Sequence, residues 1–215
     1  MKSARWTFDF ISPYAYLQSA VLHKFDGLAQ ITYRPVLFAG LLEHHGQKGP
    51  AEIPAKKIHT FRDVVWRAHA QGVALNLPAA HPFNPLPLLR LSIALGNRPD
   101  VVQTLFRYVW VDGHLPTDTQ AWAQLCQGLG QGLGVTDPQA LIAQAEVKDT
   151  LRQNTEQAIA EGVFGVPTLQ IDDQAFWGFD MTDAALAYLA GDPIFTSATM
   201  QQAQTLPDGV QRRIR

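Results

Sequence analysis

The hydrophobic and polar positions at the beginning of the chain predict a strand, a helix and a second strand. In residues 4–10 aromatic side chains alternate with polar ones, a period of two that is typical of a strand. Ser12 and Pro13 then predict a helix start, because serine is a favoured N-cap and proline a favoured first helical residue. Gly27 predicts the end of that helix, and residues 29–36 alternate as a second strand. This order favours an α/β unit with a parallel pair of strands.

The middle of the chain changes to a helical period, with apolar residues three or four positions apart. No strand interrupts this part of the chain, which indicates a helical insert. The predicted helices cover residues 55–71, 87–95, 99–111, 118–128, 138–145 and 148–161.

A strand pattern returns after Gly162. Residues 166–171 and 175–177 read as two short strands, and the Asp-Asp pair between them predicts a hairpin. Thr182 is then expected to cap a last helix that ends at Gly191.

The order of these elements predicts the α/β thioredoxin layout with an inserted all-helical domain. Residues 1–37 and 150–191 would form one discontinuous thioredoxin-like domain, and residues 38–149 the insert. Residues 192–215 are expected to form a polar surface tail with a basic end at residues 211–215.

Composition excludes several classes of function. With 17 Lys and Arg against 19 Asp and Glu, the 215-residue chain lacks the basic excess of nucleic-acid binders. Cys126 is the only cysteine, so an internal disulfide, a CxxC pair and a cysteine-rich metal site are impossible. The adjacent His44 and His45 have no companion ligands, so no metal is expected. Neither a signal peptide nor an apolar membrane span is evident, and we expect a cytoplasmic protein.

Ser12 is the first residue that predicts chemistry. A helix start offers unpaired backbone N–H groups and a positive dipole end, which stabilise an anion such as a thiolate. A serine hydroxyl cannot exchange disulfides, but it can donate a hydrogen bond to a thiolate supplied by another molecule. The alternative is a serine that only caps the helix.

Two further segments would lie near Ser12 in a thioredoxin layout. There, Pro167 is expected to be cis and beside the helix start, with the backbone of Val166 open to a bound peptide. Gly178 permits close backbone approach, and Asp180 can accept a hydrogen bond from an ammonium group. The alternatives are an ordinary proline at a strand edge and an ordinary turn residue.

Asn84 lies in a loop with three prolines, which can hold its amide in place. Its donor and acceptor suit a carbonyl or carboxylate of a substrate. The alternative is a plain connector between two helices.

The segment from Asp9 to Leu17 resembles the opening of the 2-hydroxychromene-2-carboxylate isomerases. These enzymes are relatives of the kappa-class glutathione transferases, within the DsbA-like branch of the thioredoxin fold. Residues 35–54, 81–91 and 154–168 carry the same resemblance in the same order. The resemblance thus covers almost the whole chain, except the tail.

The resemblance implies a bound glutathione, with Ser12 as the catalytic residue at its sulfur. Val166, beside a cis Pro167, would pair its backbone with the cysteinyl part, and Asn84 would contact the substrate. The ends of the tripeptide would be held by Ile53, Gly178, Phe179, Asp180 and Met181. Phe179 and Met181 stand where the family often has Gln and Arg, so contacts to the charged ends are expected to differ.

The resemblance further implies an enzyme that interconverts 2-hydroxychromene-2-carboxylate and trans-o-hydroxybenzylidenepyruvate in the degradation of aromatic hydrocarbons. Glutathione would add reversibly to the conjugated double bond, allow rotation and leave unchanged. A homodimer is a further expectation from the family. Two alternatives stay open: a kappa-class-like glutathione transferase or peroxidase, and a non-catalytic thioredoxin-like module that binds peptides beside Pro167.

Overall fold

A computed structural model describes residues 1–210, and four strands form one mixed sheet at its centre. The strands are β1 (Lys2–Phe8), β2 (Ala29–Pro35), β3 (Thr168–Ile171) and β4 (Gln174–Trp177). Their order across the sheet is β2-β1-β3-β4. β1 is parallel to β2 and antiparallel to β3, and β3 is antiparallel to β4. The predicted parallel pair and the predicted hairpin are therefore confirmed.

Helices follow β1 and β4 and occupy most of the region between β2 and β3. They are α1 (Pro13–Ser19), α2 (Phe38–His44), α3 (Pro54–Gln71), α4 (Leu86–Ala94), α5 (Pro99–Trp110), α6 (Thr119–Leu133), α7 (Pro138–Leu141), α8 (Ala145–Ala160), α9 (Thr182–Leu189) and α10 (Ala198–Gln204). The six helices predicted for the middle of the chain are confirmed as α3 to α8.

Three local predictions need correction. α1 ends at Ser19, earlier than predicted, and a short 3-10 helix follows before Gly27 closes the connection. α2 was not predicted, because only Leu41 of its seven residues is buried and no apolar stripe marks it. Thr182 is the first residue of α9 and does not cap it, since its hydroxyl donates to the Phe179 carbonyl over 2.6 Å.

Residues 193–204, predicted as part of a polar surface tail, are mostly exposed but have regular structure. They form a 3-10 helix and α10. The ring of Phe195 packs against Phe176 and Tyr188, with centroid distances of 6.0 and 5.2 Å. The predicted basic end, residues 211–215, lies outside the described residues.

The core joins the sheet to the helices. The three aromatic residues of the β1 pattern, Trp6, Phe8 and Phe10, are fully buried as predicted. Phe106 of α5 packs 4.7 Å from the ring of Phe10, so a single buried cluster includes strand and insert. The division into two domains stays a prediction; α8, which begins at Ala145, crosses its boundary at residue 150.

Within residues 1–210, no helix has the length and apolarity that a membrane crossing requires. The same residues contain no group of three or more His, Cys, Asp and Glu side chains that could hold a metal ion.

Candidate functional site

The start of α1 and the beginning of β3 meet at Ser12. The Ser12 Oγ accepts a hydrogen bond from the Ala15 N–H over 3.2 Å, which makes it the N-cap of α1. The same hydroxyl donates to the Val166 carbonyl over 3.4 Å. The bond from Val166 to Pro167 is cis. The predicted cis proline and its position beside the helix start are both confirmed.

The backbone of Val166 is nearly unused by the fold. Its N–H donates to no group within residues 1–210, and its carbonyl accepts only the long bond from Ser12. β3 begins two residues later, at Thr168, so Val166 is outside the ladder. An unpaired N–H and a carbonyl with acceptor capacity left on one residue are what an extended peptide pairs with.

Asp9 lies beneath this corner, and its role was not visible in the sequence. Asp9 is one of the polar positions of the alternating pattern, and its side chain is fully buried. One carboxylate oxygen accepts from the Ile11 N–H over 3.1 Å and the other from the Phe38 N–H over 2.9 Å. Burial raises the pKa of Asp9 from 3.8 to about 7, although both N–H groups favour the charged form.

His81 ties the proline-rich loop to the residue before Ser12. Its Nε2 lies 2.9 Å from the Ile11 carbonyl, so this nitrogen carries the hydrogen. Lys57, on the first turn of α3, donates to the His81 carbonyl. The loop is therefore anchored on two sides, and the bond from His81 to Pro82 is also cis.

Asn84 is exposed at the tip of this loop. Its Oδ1 accepts from the Leu86 N–H over 3.1 Å and helps to turn the chain into α4. Its Nδ2 has no partner within residues 1–210. The connector role is thus present in the structure, while a role in contacting substrate stays a prediction.

Ile53 is the N-cap of α3, and both of its backbone groups are used there. Its N–H donates to the Pro50 carbonyl over 3.4 Å, and its carbonyl accepts from the Lys57 N–H over 2.9 Å. In the part of the chain that the structure describes, Ile53 makes no hydrogen bond to Ser12 or Val166. Its contact with a bound peptide stays a prediction.

Gly178 is fixed directly beside the cis proline. Its N–H donates to the Pro167 carbonyl over 2.8 Å, and its carbonyl accepts from Gln18 Nε2 over 3.2 Å. Gln18 is itself buried and accepts from the Trp6 indole N–H over 2.8 Å. Gly178 has φ of 97°, where a side chain is strained, and an added Cβ would lie 2.5 Å from Asp180 Oδ1.

The three residues after Gly178 form a 3-10 turn, Phe179–Met181. Phe179 is buried, whereas Asp180 and Met181 are exposed. The Asp180 carboxylate has no hydrogen-bond partner within residues 1–210. The structure thus leaves this acid open to an outside ligand, next to the cis proline.

Three polar side chains of α1 and α3, those of Tyr14, Asp63 and Arg67, form a connected group beside this turn. Asp63 Oδ2 accepts from the Tyr14 hydroxyl over 2.8 Å and from Arg67 Nε over 2.7 Å. Arg67 Cζ lies 5.7 Å from the centre of the Phe179 ring. Burial, and then Asp63, raise the pKa of Tyr14. The only sequence signal was the spacing of Asp63 and Arg67, four residues apart on a predicted helix.

The environment of Cys126 is unlike that of this site. It is buried on α6, and desolvation raises the pKa of its thiol to about 11. A buried thiol with a raised pKa is a structural one and not a nucleophile.

The site is a thioredoxin-fold corner with a cis proline, in which a serine takes the helix position where a redox protein needs a cysteine. The chain belongs to the family of the DSBA-like thioredoxin domain, whose model matches residues 6–190. It is thus a DsbA-like protein without a cysteine pair for disulfide exchange.

Kappa glutathione transferases and 2-hydroxychromene-2-carboxylate isomerases both match over most of the chain. Glutathione S-transferase kappa 2 of Caenorhabditis elegans is 28% identical over 211 residues, which cover 88% of this chain and 92% of the relative. The 2-hydroxychromene-2-carboxylate isomerase of Sphingobium xenophagum is also 28% identical, over 200 residues that cover 87% and 98%. A solved structure of a 2-hydroxychromene-2-carboxylate isomerase superposes with a TM-score of 0.75 at 23% identity, covering 91% of this chain and all of that one.

Proposed function

We propose that this protein is a glutathione-dependent isomerase that interconverts 2-hydroxychromene-2-carboxylate and trans-o-hydroxybenzylidenepyruvate, a step in the degradation of aromatic hydrocarbons. The observation that carries the proposal is the position of the Ser12 hydroxyl against the unpaired backbone of Val166. The Ser12 hydroxyl suits a thiolate, and the Val166 backbone suits the backbone of the cysteinyl residue that bears this thiolate.

The donors and acceptors of the corner fit glutathione. The tripeptide offers an extended cysteinyl unit, and Val166 has an unpaired N–H and a carbonyl that accepts only the long bond from Ser12. Its γ-glutamyl end carries an ammonium group, and the Asp180 carboxylate is exposed and unpaired within residues 1–210. Gly178 supports the close approach, because a side chain there would collide with Asp180 Oδ1.

Ser12 would hold the sulfur as a thiolate. Its Oγ accepts from the Ala15 N–H, and this bond polarises the hydroxyl. Its hydrogen now points along a weak 3.4 Å bond to Val166, which it can exchange for a charge-assisted bond to a thiolate at little cost. A cysteinyl N–H or a water can take the freed carbonyl.

Bound glutathione would supply a thiolate that adds to the conjugated double bond, permits rotation about the resulting single bond and is eliminated unchanged. The protein's contribution is to lower the thiol pKa and to place the substrate over the sulfur. Asn84 has a free amide N–H₂ group for a substrate carbonyl or carboxylate. The exposed rings of Trp177 and of Phe164, two residues before Val166, lie 4.8 Å apart and offer apolar surface.

A glutathione transferase is the second candidate, because the kappa-class relative and the isomerase relative are each 28% identical to this chain. It would use Ser12, Val166 and Asp180 in the same way but would consume glutathione. The peptide-binding module is a third reading, which needs no role for Ser12 beyond capping.

The test is to follow chromene-carboxylate isomerisation by absorbance, with and without glutathione, on protein freed of bound thiols. The proposal expects turnover that requires glutathione and leaves its concentration unchanged. Loss of glutathione with formation of a conjugate would establish the transferase instead. Failure of the protein to bind glutathione would contradict both enzyme proposals and favour the peptide-binding module.

A further inference from the structure

The 3-10 turn Phe179–Met181, beside the cis proline, contains the acid Asp180 but no basic residue that could pair with it. Asp180 is flanked by Phe179 and Met181, so the turn offers one negative charge and no positive charge. A γ-glutamyl end carries an ammonium and a carboxylate on the same carbon. Asp180 can satisfy only the first of these, and no cationic side chain of the turn can pair with the carboxylate.

Arg67 of α3 brings a positive charge to this turn. Its guanidinium lies 5.7 Å from the centre of the Phe179 ring, directly before Asp180 in the chain. Its side chain is 31% exposed, so the charge is reachable from solvent. The charges of both Arg67 and Asp180 act on the pKa of the Tyr14 hydroxyl, so both groups lie within electrostatic reach of it.

The guanidinium is held in one orientation with its ends free. Asp63 binds Arg67 through Nε, over 2.7 Å, and the Phe179 ring lies beside the guanidinium. The two terminal nitrogens have no partner within residues 1–210. A planar fork held at Nε presents these N–H groups to an oxyanion, the geometry in which arginine binds carboxylates.

Asp63 is already paired with a cation in this arrangement. Its Oδ2 already accepts from the Tyr14 hydroxyl and from Arg67. Asp180 accepts from nothing within the described residues. The two acids therefore have different tasks: Asp63 orients the arginine, and Asp180 is free for a ligand.

We infer that Arg67 and Asp180 together bind the amino-acid end of the γ-glutamyl group, Arg67 its carboxylate and Asp180 its ammonium. This inference rests on the proposed use of glutathione. It gives the protein a cation from α3 at a turn where the chain has Met181 and no arginine of its own. The site would select peptides that end in an unblocked zwitterion.

Calorimetric titration with glutathione and two analogues tests the inference. In 4-aminobutyryl-cysteinyl-glycine the α-carboxylate is missing, and in glutaryl-cysteinyl-glycine the α-ammonium is missing. Arg67→Gln is expected to weaken glutathione binding about tenfold or more and to leave the binding of the 4-aminobutyryl analogue unchanged. Asp180→Asn is expected to weaken glutathione binding and to leave the glutaryl analogue unchanged.

Arg62→Gln is the matched control, because Arg62 is an exposed arginine on the same helix. It should bind all three peptides as the wild type does. If Arg67→Gln weakens glutathione and the 4-aminobutyryl analogue equally, Arg67 acts only by supporting Asp63 and Tyr14, and the inference is wrong. It is also wrong if Arg67→Gln binds glutathione normally. A wild-type protein that binds no glutathione would instead overturn the proposed function, and the inference with it.

Discussion

The Ser12 hydroxyl lies 3.4 Å from the Val166 carbonyl, although 154 residues separate the two in the chain. The contact exists because β1 ends at Phe8 and leads directly into α1, while β3 pairs antiparallel with β1 and starts next to that end. The fold therefore brings the cap of α1 to one corner with Val166, which lies two residues before β3.

Ser12→Ala should separate catalysis from capping. Loss of a donor to a developing or stabilised anion is expected to lower turnover about 100-fold. Loss of the cap should lower the free energy of unfolding by about 1 kcal/mol. Turnover and urea unfolding, measured on the same preparation, check both effects.

Asp137→Ala is the control for the capping effect. Asp137 caps α7 through the Ala140 N–H over 3.1 Å, as Ser12 caps α1. It should lose similar stability and keep full turnover. A Ser12→Ala protein with normal turnover would mean that Ser12 only caps its helix.

Asp9 should make the protein less stable as the pH rises. Its pKa is raised from 3.8 to about 7 on folding, so the folded state keeps this proton when the unfolded state has lost it. Stability from this group is full below the unfolded pKa and is lost as the pH rises through 7. Between pH 6 and 8 the loss is about 1.4 kcal/mol.

Urea unfolding of the wild type and Asp9→Asn at pH 6, 7 and 8 measures this loss. As the pH rises, the wild type should lose free energy of unfolding relative to Asp9→Asn. Asp26→Asn, at an exposed aspartate, should follow the wild type. A constant difference between the wild type and Asp9→Asn over this range would mean that Asp9 is ionised throughout.

Gly178→Ala should weaken glutathione binding beyond its effect on stability. The residue has φ of 97°, so alanine there costs about 1–3 kcal/mol of stability. Its Cβ would also lie only 2.5 Å from Asp180 Oδ1 and would push that carboxylate away. This movement removes the acceptor for the ammonium group. Calorimetric titration of the folded variant with glutathione checks the second effect.

Gly191→Ala isolates the backbone strain. Gly191 has φ of 79°, and an added Cβ would meet nothing within 4 Å. This variant should lose stability but bind glutathione normally. Equal affinities of Gly178→Ala and the wild type would show that Asp180 needs no such placement.

Local patterns predicted the elements and the corner where they meet. The helical period of α3 to α8 and the alternation of β1 were strong, because each buries one regular face. Ser12, Val166 and Pro167 were predicted in their places because the order of elements limits the topology.

The groups that the sequence could not assign depend on packing between distant elements. Nothing in the sequence marked Asp9 as buried, because α2, which carries too little apolar pattern to be predicted, supplies the Phe38 N–H that its carboxylate accepts from. Arg67 gave no sign of its position, because the ring beside it comes from residue 179, more than a hundred residues later. Such contacts are set by tertiary packing and have no local period.

Titration of the thiol of bound glutathione, followed by its ultraviolet absorbance, tests most directly whether the Ser12 corner holds the sulfur. In the wild type the thiol pKa should fall by about one unit or more below the free value near 8.5, and Ser12→Ala should restore most of that difference. A bound thiol that titrates like the free peptide, or an equally lowered pKa in Ser12→Ala, would contradict this account.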